Sequence, residues 1–179
     1  MRPRDHTVQL YRDERWLIDT ITTFIKVGLD LNETVLVIVT AQHRKELDTT
    51  LTGDELRNDK LRFVDAAAFL RVIMVEDWPN ESQFMQGMAT ILGQAGETGQ
   101  IRVFGELVAV LCAEGKAAAA MRLEVLWNIL VIKLGLSLLC AYPLSALFEK
   151  GDEETRTRIC QLHRRVQIQY AIKPDTELG

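Results

Sequence analysis

The chain has 179 residues, 47% of them hydrophobic and 26% charged, which predicts one globular domain that buries about 70% of its unfolded surface without cross-links. The formal net charge of −4 argues against a nucleic-acid-binding surface. Three widely spaced cysteines (Cys112, Cys140 and Cys160) without a Cys-x-x-Cys motif argue against a disulfide or zinc framework. We therefore expect a reduced, cytoplasmic protein with no metal and no cofactor.

The first half of the chain alternates predicted strands with predicted helices. Its N-terminal residues, MRPRDHTVQLYRDE, lack the apolar segment of a signal peptide. Thr7–Tyr11 is predicted to be a strand, and Arg12–Leu29 a helix whose apolar residues share one face. Apolar runs predict strands at Val35–Thr40 and Leu61–Ala66, and the polar segment from Leu51 to Lys60 is predicted to be a surface loop.

The second half continues this alternation. Asn80 is predicted to cap a helix, with Gln83 placed to complete a capping box. Strands are predicted at Ile101–Glu106 and Leu136–Pro143. The helix between them, Lys116–Leu134, is apolar nearly all round, so we expect it to be deeply buried; charged and polar residues interrupt it, which argues against a membrane span.

The C-terminal part begins with a charged predicted helix, Asp152–Arg165, followed by Val166–Ile172, which is either a sixth, edge strand or an extension of that helix. One domain is predicted over residues 1–179, with a core at about 5–150 and the C-terminal helix and edge strand at 151–173. The alternation of strands and helices is typical of an α/β fold. It predicts three layers, with a mostly parallel central sheet of five or six strands and helices on both faces.

In such a sheet, ligands bind beyond the carboxyl ends of the strands. This rule selects the following residues as candidates for a ligand site: Tyr11, Thr40, His43, Asp65, Gly105, Glu106 and Tyr142. Gly105 and Glu106 stand at a strand-to-helix turn, where a glycine allows unusual dihedrals or a close approach and a helix start favours a carboxylate. Three roles stay open for Glu106: a catalytic base, the polar wall of a pocket, or a helix-start residue.

The sequence lacks the phosphate-binding loop of ATPases. No GxxxxGK[ST] motif is present, and no glycine precedes Gly28. Asp13 and Glu14 follow the first predicted strand and would occupy the positive helix start themselves, which repels a phosphate. The GQAGETG segment, Gly93–Gly99, follows a helix, so we interpret it as a helix end and turn. GxSxG and HExxH are also absent, and we expect no enzymatic activity.

Polar residues also occur within the most apolar predicted helix. Glu124 and Asn128 lie four residues apart on one face, where a buried carboxylate must be paired or protonated. A satisfied polar contact and a ligand contact both fit this pattern. Trp127 is interpreted as a core residue. His6 and His163 stand near opposite ends of the chain, and no spacing motif joins them.

Several segments carry a resemblance to a known family. In chain order they are HTVQLYRDERWL, VGLDLNETVLVIVTAQHRKEL, LRFVDAAAFL, IRVFGELVAVLCAEGKAAAAMRLEVLWNIL, LSLLCAYPLSAL and ICQLHRRV, of which RVFGE, LExLWN and LLCAYP are the most specific. Over nearly its whole length the chain resembles the methanogen/methylotroph sensory (MEDS) domain family. Leu111-Cys112 departs from the Leu-Trp that is frequent in that family, and we expect this change to reshape the neighbouring wall.

The resemblance implies a RecA-like fold in which IRVFGE takes the place of the Walker B strand and TVQLYRDE that of the phosphate-loop strand and turn. It also implies a sensor of small hydrocarbon derivatives, in a family commonly joined to histidine kinases, DNA-binding modules or related signalling domains. The family pattern points to a set of residues that extends the strand-end candidates: His6, Tyr11, Thr40, His43, Asp65, Glu106, Glu124, Trp127, Tyr142 and His163.

The sequence therefore predicts a cytoplasmic, non-enzymatic sensory domain that binds a small, largely apolar ligand at the carboxyl edge of the sheet. Glu106, Tyr11 and Tyr142 are expected to hold the polar atoms of the ligand. We expect a signalling partner in trans, a histidine kinase or a transcription regulator, or a homo-oligomer, and no direct contact with nucleic acid or membranes. A nucleotide-binding protein with a degenerate phosphate site and a pure protein-interaction module stay open as alternatives.

Overall fold

The computed structural model describes residues 5–93, 99–145 and 153–169. Its strands are β1 (His6–Tyr11), β2 (Thr34–Val39), β3 (Leu61–Asp65), β4 (Met74–Val75), β5 (Trp78–Pro79), β6 (Ile101–Gly105), β7 (Ser137–Pro143) and β8 (Arg165–Ile168). Six of them form one sheet in the order β3-β2-β6-β7-β1-β8, and every neighbouring pair in it is parallel. β4 and β5 form a separate antiparallel pair.

Helices cover both faces of this sheet. They are α1 (Glu14–Asp30), α2 (Ala41–Thr50), α3 (Gly53–Leu56), α4 (Ala66–Ile73), α5 (Glu81–Leu92), α6 (Leu107–Ala113), α7 (Ala117–Leu134) and α8 (Glu153–Leu162). The apolar residues of α1 and α2 pack in one core, and those of α4 to α8 pack in the other. The predicted three-layer α/β fold with a parallel central sheet is thus confirmed.

Alternation along the strands explains why there are two cores. In β2, Leu36 and Ile38 face the layer of α4 to α8, whereas Val35, Val37 and Val39 face the layer of α1 and α2. Successive side chains of a strand point to opposite faces, and both faces here are covered, so apolar residues occupy every position. This accounts for the continuous apolar runs in the sequence.

The C-terminal segment completes the sheet. Arg165–Ile168 pairs in parallel with β1, with Val8 opposite Val166, so the edge-strand interpretation is confirmed over this range and the helix extension is wrong. Residues 170–172 of the predicted strand lie outside the described part of the chain, as do Asp152 of the predicted helix and residues 94–98 of the predicted turn.

Two local elements differ from the expectation. The segment predicted as a loop contains α3, because Thr52 and Glu55 form a capping box at its start. The β4–β5 pair was not predicted at all. Its turn residues, Glu76 and Asp77, both have positive φ, 50° and 62°, without the glycine that usually signals such a turn.

The expectation that α7 is deeply buried is only partly correct. Leu123, Glu124 and Trp127 face the interior, but Ile129 and Ile132 on the opposite side are 39% and 72% exposed. An outer-layer helix packs one side against the sheet, so apolar character around the whole helix does not bury the whole helix. Within the described ranges, every helix is too short or too polar to cross a bilayer.

Candidate functional site

The turn after β1 is occupied by side chains of the protein itself. Asp13 caps α1, where its Oδ1 accepts a hydrogen bond from the Trp16 backbone N–H at 2.8 Å. The backbone N–H groups of Arg12 and Asp13 donate to Oε1 of Gln169 at 2.8 and 3.2 Å. The prediction that an acidic side chain fills this helix start is therefore confirmed. These contacts use the N–H groups that a bound phosphate would require.

A group of polar side chains lies at the carboxyl ends of β2 and β6, which we call the edge cluster: Glu14, Thr40, His43 and Glu106. The two strands are neighbours with Ile38 opposite Gly105, and the Glu106 backbone N–H donates to the Ile38 carbonyl at 3.0 Å. This register places the residue after β6 directly beside the start of α2.

Glu106 is the centre of the edge cluster. One carboxylate oxygen, Oε2, accepts the backbone N–H of Thr40 at 2.9 Å, and the other, Oε1, accepts Nδ1 of His43 at 2.5 Å. Nε2 of His43 donates in turn to Glu14 at 2.8 Å. Glu106 occupies the N-cap position of α6, but its side chain makes no capping bond there. Both oxygens instead join β6 to the start of α2.

The edge cluster carries a protonated imidazole between two carboxylates. Burial alone would lower the pKa of His43, but the hydrogen bonds and charges of Glu106 and Glu14 outweigh it and raise this pKa to about 9. Nearby Tyr11 is also buried, and burial together with the charges of Glu14 and Glu106 raises its pKa far above the ordinary value. His43 is therefore a cation at neutral pH, whereas Tyr11 keeps its proton.

A cavity of about 340 Å³ opens beside the edge cluster, between the carboxyl ends of β2 and β3. It is lined by Val39, Ala41, Arg44, Lys45, Phe63, Val64 and Asp65. The guanidinium carbon of Arg44 lies 3.8 Å from the centre of the Phe63 ring. Asp65 caps α4 through Oδ1, which accepts the Ala68 N–H at 2.7 Å. Asp65 thus lines the cavity, and Thr40 and His43 are chain neighbours of its lining residues.

A second group of polar side chains lies under α7, on the face of the sheet that α4 to α8 cover. We call it the inner cluster: His6, Glu124, Cys140 and His163, all buried. Nε2 of His6 lies 3.2 Å from Oε2 of Glu124 and 3.3 Å from Sγ of Cys140. Nε2 of His163 lies 3.3 Å from the same Glu124 oxygen. The four donor atoms are all within 4.8 Å of one another.

Burial and charge shift the titration of the inner cluster. Burial by itself would raise the pKa of Glu124, but His163 and His6 beside it hold this pKa far below the usual range. Burial and the Glu124 charge raise the pKa of the Cys140 thiol. The hydroxyl of Tyr142 donates to Oε1 of Glu124 at 2.6 Å, so Glu124 is paired, as a buried carboxylate must be.

The structure divides the predicted site residues between the two faces. Tyr142, expected to act with Glu106 and Tyr11, lies on the inner face with its hydroxyl on Glu124. Trp127 is core, as interpreted, and packs edge-on against Phe84 at 4.9 Å. Successive side chains of β7 point to opposite faces of the sheet. The sequence alone does not tell which of these faces also carries Glu106 and Tyr11.

The structure does not bear out the conformational reason given for Gly105, whereas its place in a ligand site stays a prediction. Its φ is not positive, and an added Cβ would lie 3.8 Å from Trp127, which is an ordinary contact. Neither an unusual dihedral nor a close approach therefore requires a glycine there. Cys140 was not predicted as a site residue. It stands two residues before Tyr142 in LLCAYP, so a strand places both side chains on the same face. Using this signal required knowing that β1 lies next to β7.

Comparison with known proteins finds one family. A family model described as "MEDS: MEthanogen/methylotroph, DcmR Sensory domain" matches residues 5–164 of the 179-residue chain. The matched range contains every residue of the edge and inner clusters. Among curated proteins, no match to this chain is found.

Proposed function

The chain belongs to the MEDS family of sensory domains, and from this membership we propose that it detects a small, largely apolar molecule in the cavity beside the edge cluster. The observation that carries the proposal is the position of this cavity, at the carboxyl ends of two parallel strands and next to a buried polar cluster. Such a position is where open α/β sheets bind ligands.

The lining of the cavity suits a hydrocarbon derivative. Val39, Phe63 and Val64 supply apolar walls, while Arg44, Lys45 and Asp65 supply a few charged groups. Small-molecule sites commonly combine apolar walls with a few polar groups that orient the ligand, in volumes of about 300–1,000 Å³. A small molecule with an apolar body and one polar end fits this arrangement.

We propose that the edge cluster transmits binding and does not catalyse a reaction. Both carboxylate oxygens of Glu106 accept hydrogen bonds from Thr40 and His43. The start of α2, which carries Ala41 and Arg44 of the cavity wall, is therefore tied to α6 through Glu106. A ligand that favours one position of α2 would shift the balance between two states of this connection.

We also propose that a partner protein in trans, a histidine kinase or a transcription regulator, reads the change in the cytoplasm. Support comes from the apolar residues that α7 leaves exposed, Val125, Ile129 and Ile132, which an interacting protein would cover. Cys112, Cys140 and Cys160 are free thiols, consistent with a reducing compartment.

A thermal-shift screen tests ligand binding. The full chain is heated with short alcohols, halogenated alkanes, small organic acids and nucleotides, and any compound that raises the melting temperature is titrated by calorimetry. A ligand present at about 100 times its dissociation constant adds about 2.7 kcal/mol to the free energy of unfolding. We expect a response to an apolar compound and none to ATP with Mg²⁺.

Ala41→Phe locates the site. Ala41 is exposed and lines the cavity, so a phenyl ring there fills the cavity without disturbing the core. Gln42→Phe is the matched control, since Gln42 is exposed, adjacent and not part of the lining. We expect the response to persist in Gln42→Phe and to disappear in Ala41→Phe. An equal response in both variants, or ATP as the only compound that binds, would refute the proposed site.

A further inference from the structure

The inner cluster brings together donor atoms of the types that bind transition metals. They are two imidazole nitrogens (His6 and His163), a carboxylate oxygen (Glu124) and a thiol sulfur (Cys140), all within 4.8 Å of one another. Imidazole and thiolate are ligands for zinc and similar metals, whereas calcium and magnesium prefer oxygen. The combination of donor types therefore indicates a borderline transition metal.

The spacing of these atoms also fits four-coordinate geometry. Zinc bonds of about 2.0–2.1 Å to nitrogen or oxygen and 2.3 Å to sulfur place tetrahedral donors about 3.3–3.6 Å apart. The separations that involve Oε2 of Glu124 are 3.2 Å to His6, 3.3 Å to His163 and 3.9 Å to Cys140. His6 and Cys140 are 3.3 Å apart. These four separations are within a few tenths of an ångström of the tetrahedral values. The other two, from His163 to His6 and to Cys140, are within 4.8 Å, so binding a common metal would also draw the His163 ring toward the other donors.

The outer nitrogens of both histidines are already engaged. Nδ1 of His163 donates to the Ile159 carbonyl at 2.6 Å, and Nδ1 of His6 donates to Oδ1 of Asn128 at 3.0 Å. The Asn128 amide nitrogen donates to the Leu162 carbonyl at 3.0 Å, which fixes its oxygen toward His6. Hydrogen bonds of this kind hold metal-binding histidines in the correct tautomer, with Nε2 free to bind.

The inner nitrogens, Nε2 of both histidines, converge on one oxygen of Glu124. Nε2 of His163 lies 3.3 Å and Nε2 of His6 lies 3.2 Å from Oε2 of Glu124. Apart from this ion pair, the buried Nε2 of His163 makes no hydrogen bond within the described part of the chain. Both nitrogens therefore point at the place that a metal would occupy, next to the same carboxylate oxygen.

We propose that His6, Glu124, Cys140 and His163 bind one divalent transition metal of the zinc class. The four protein ligands fill a tetrahedral shell, which is the pattern of structural sites and leaves no open position for a reacting water. The ligands come from β1, α7, β7 and the residue after α8. Metal binding would therefore fasten the C-terminal segment, α8 and β8, to the body of the sheet.

Cobalt substitution tests this site in the full chain. The reduced protein is stripped with a chelator, dialysed and titrated with Co²⁺, then with Zn²⁺ in competition. We expect about one Co²⁺ per chain, with the intense visible absorption of tetrahedral cobalt and a thiolate-to-cobalt charge-transfer band, both removed by Zn²⁺. Cys140→Ser and His163→Gln are expected to weaken metal binding by more than about 100-fold. Mutating residues that only hydrogen-bond to metal ligands already lowers the affinity about 10–100-fold, and these two variants remove a ligand itself.

Matched variants separate this cluster from other sites. Cys160→Ser changes an exposed cysteine and His43→Gln changes a histidine of the edge cluster, and both are expected to bind as the unaltered protein does. Asn128→Ala keeps all four ligands but removes the hydrogen bond to His6, so an affinity loss of about 10–100-fold is expected.

X-ray absorption on the unaltered zinc-loaded protein covers the case in which a variant fails to fold. One sulfur at about 2.3 Å with three nitrogen or oxygen neighbours supports the proposal. Failure to bind stoichiometric metal, a shell without sulfur, or undiminished binding in Cys140→Ser overturns it. These outcomes are independent of whether any apolar ligand binds in the cavity beside the edge cluster.

Discussion

Among single residues, His43 is a group whose charge at neutral pH is set by its neighbours. It is buried between Glu106 and Glu14, and its folded pKa of about 9 lies above the ordinary value of 6.5. The protonated form therefore stabilises the folded state fully below about pH 6.5, and this stabilisation is lost as the pH rises through 9.

We predict that His43→Gln flattens the pH dependence of stability. Between about pH 6 and pH 9.5 the free energy of unfolding should fall by about 1–2 kcal/mol more in the unaltered protein than in the variant. This value is smaller than the full pKa shift of His43 would give, because Glu14 is half-exposed and solvent screens its charge. Urea unfolding at both pH values measures the difference. Gln42→Ala serves as control, since it leaves the charges unchanged; identical pH profiles for His43→Gln and the unaltered protein would contradict the prediction.

Contacts between residues that are close in the sequence could be predicted from the sequence. Asp13 at the start of α1 and Asn80 at the start of α5 cap their helices as predicted, because a cap involves residues three apart. The sequence did not reveal that Tyr142 binds Glu124 or that Cys140 lies beside His6. Those contacts join residues 18 and 134 positions apart, and no local pattern encodes them.

At the scale of elements, the packing of α1 on the sheet depends on one glycine. Gly28 faces Val35 of β2 and the buried Arg102 of β6, which pairs with Glu33 and donates to the Phe24 carbonyl at 3.1 Å. A Cβ at Gly28 would lie 2.5 Å from a Val35 methyl and 2.6 Å from Cδ of Arg102. The helix can approach the sheet here only because this position has no side chain.

We predict that Gly28→Ala lowers the free energy of unfolding by about 1–2 kcal/mol. Contacts below 3.0 Å place the overpacking cost in the upper part of the usual range, about 2–3 kcal/mol, and the better helix propensity of alanine, about 1 kcal/mol, offsets part of it. Chemical denaturation measures the change. Thr23→Ala on the exposed side of α1 is the control and should change stability by less than about 0.5 kcal/mol. A Gly28→Ala protein as stable as the unaltered one would show that helix and sheet separate at little cost.

At the scale of the whole molecule, the C-terminal segment closes the sheet beside β1. β8 pairs with β1, Gln169 accepts hydrogen bonds from the turn before α1, and Asn128 of α7 donates to the Leu162 carbonyl. Strand β1, all of whose residues are buried, would become an open edge without this segment. Open edges of parallel apolar strands promote association between chains.

We predict that deleting residues 153–179 lowers the melting temperature and causes self-association. Size-exclusion chromatography and thermal unfolding measure the two effects. The matched control is Arg158→Ala, an exposed position of α8 that leaves the segment in place. A shortened chain that stays monomeric and melts at the same temperature would mean that β8 contributes nothing to the sheet.

The strands of the main sheet, the α/β class and the sheet edge at which polar residues gather could be predicted from the sequence, because hydrophobic periodicity, caps and strand ends are local properties of the chain. Helix α3 and the β4–β5 pair could not, and neither could the contacts between the polar residues. The strand order places β1 between β7 and β8, and alternation then sends His6, Cys140 and Tyr142 to one face while Glu106 and His43 meet on the other. The face on which a side chain lies and the residues beside it depend on strand register. Register is set only when segments that are distant in the sequence pair.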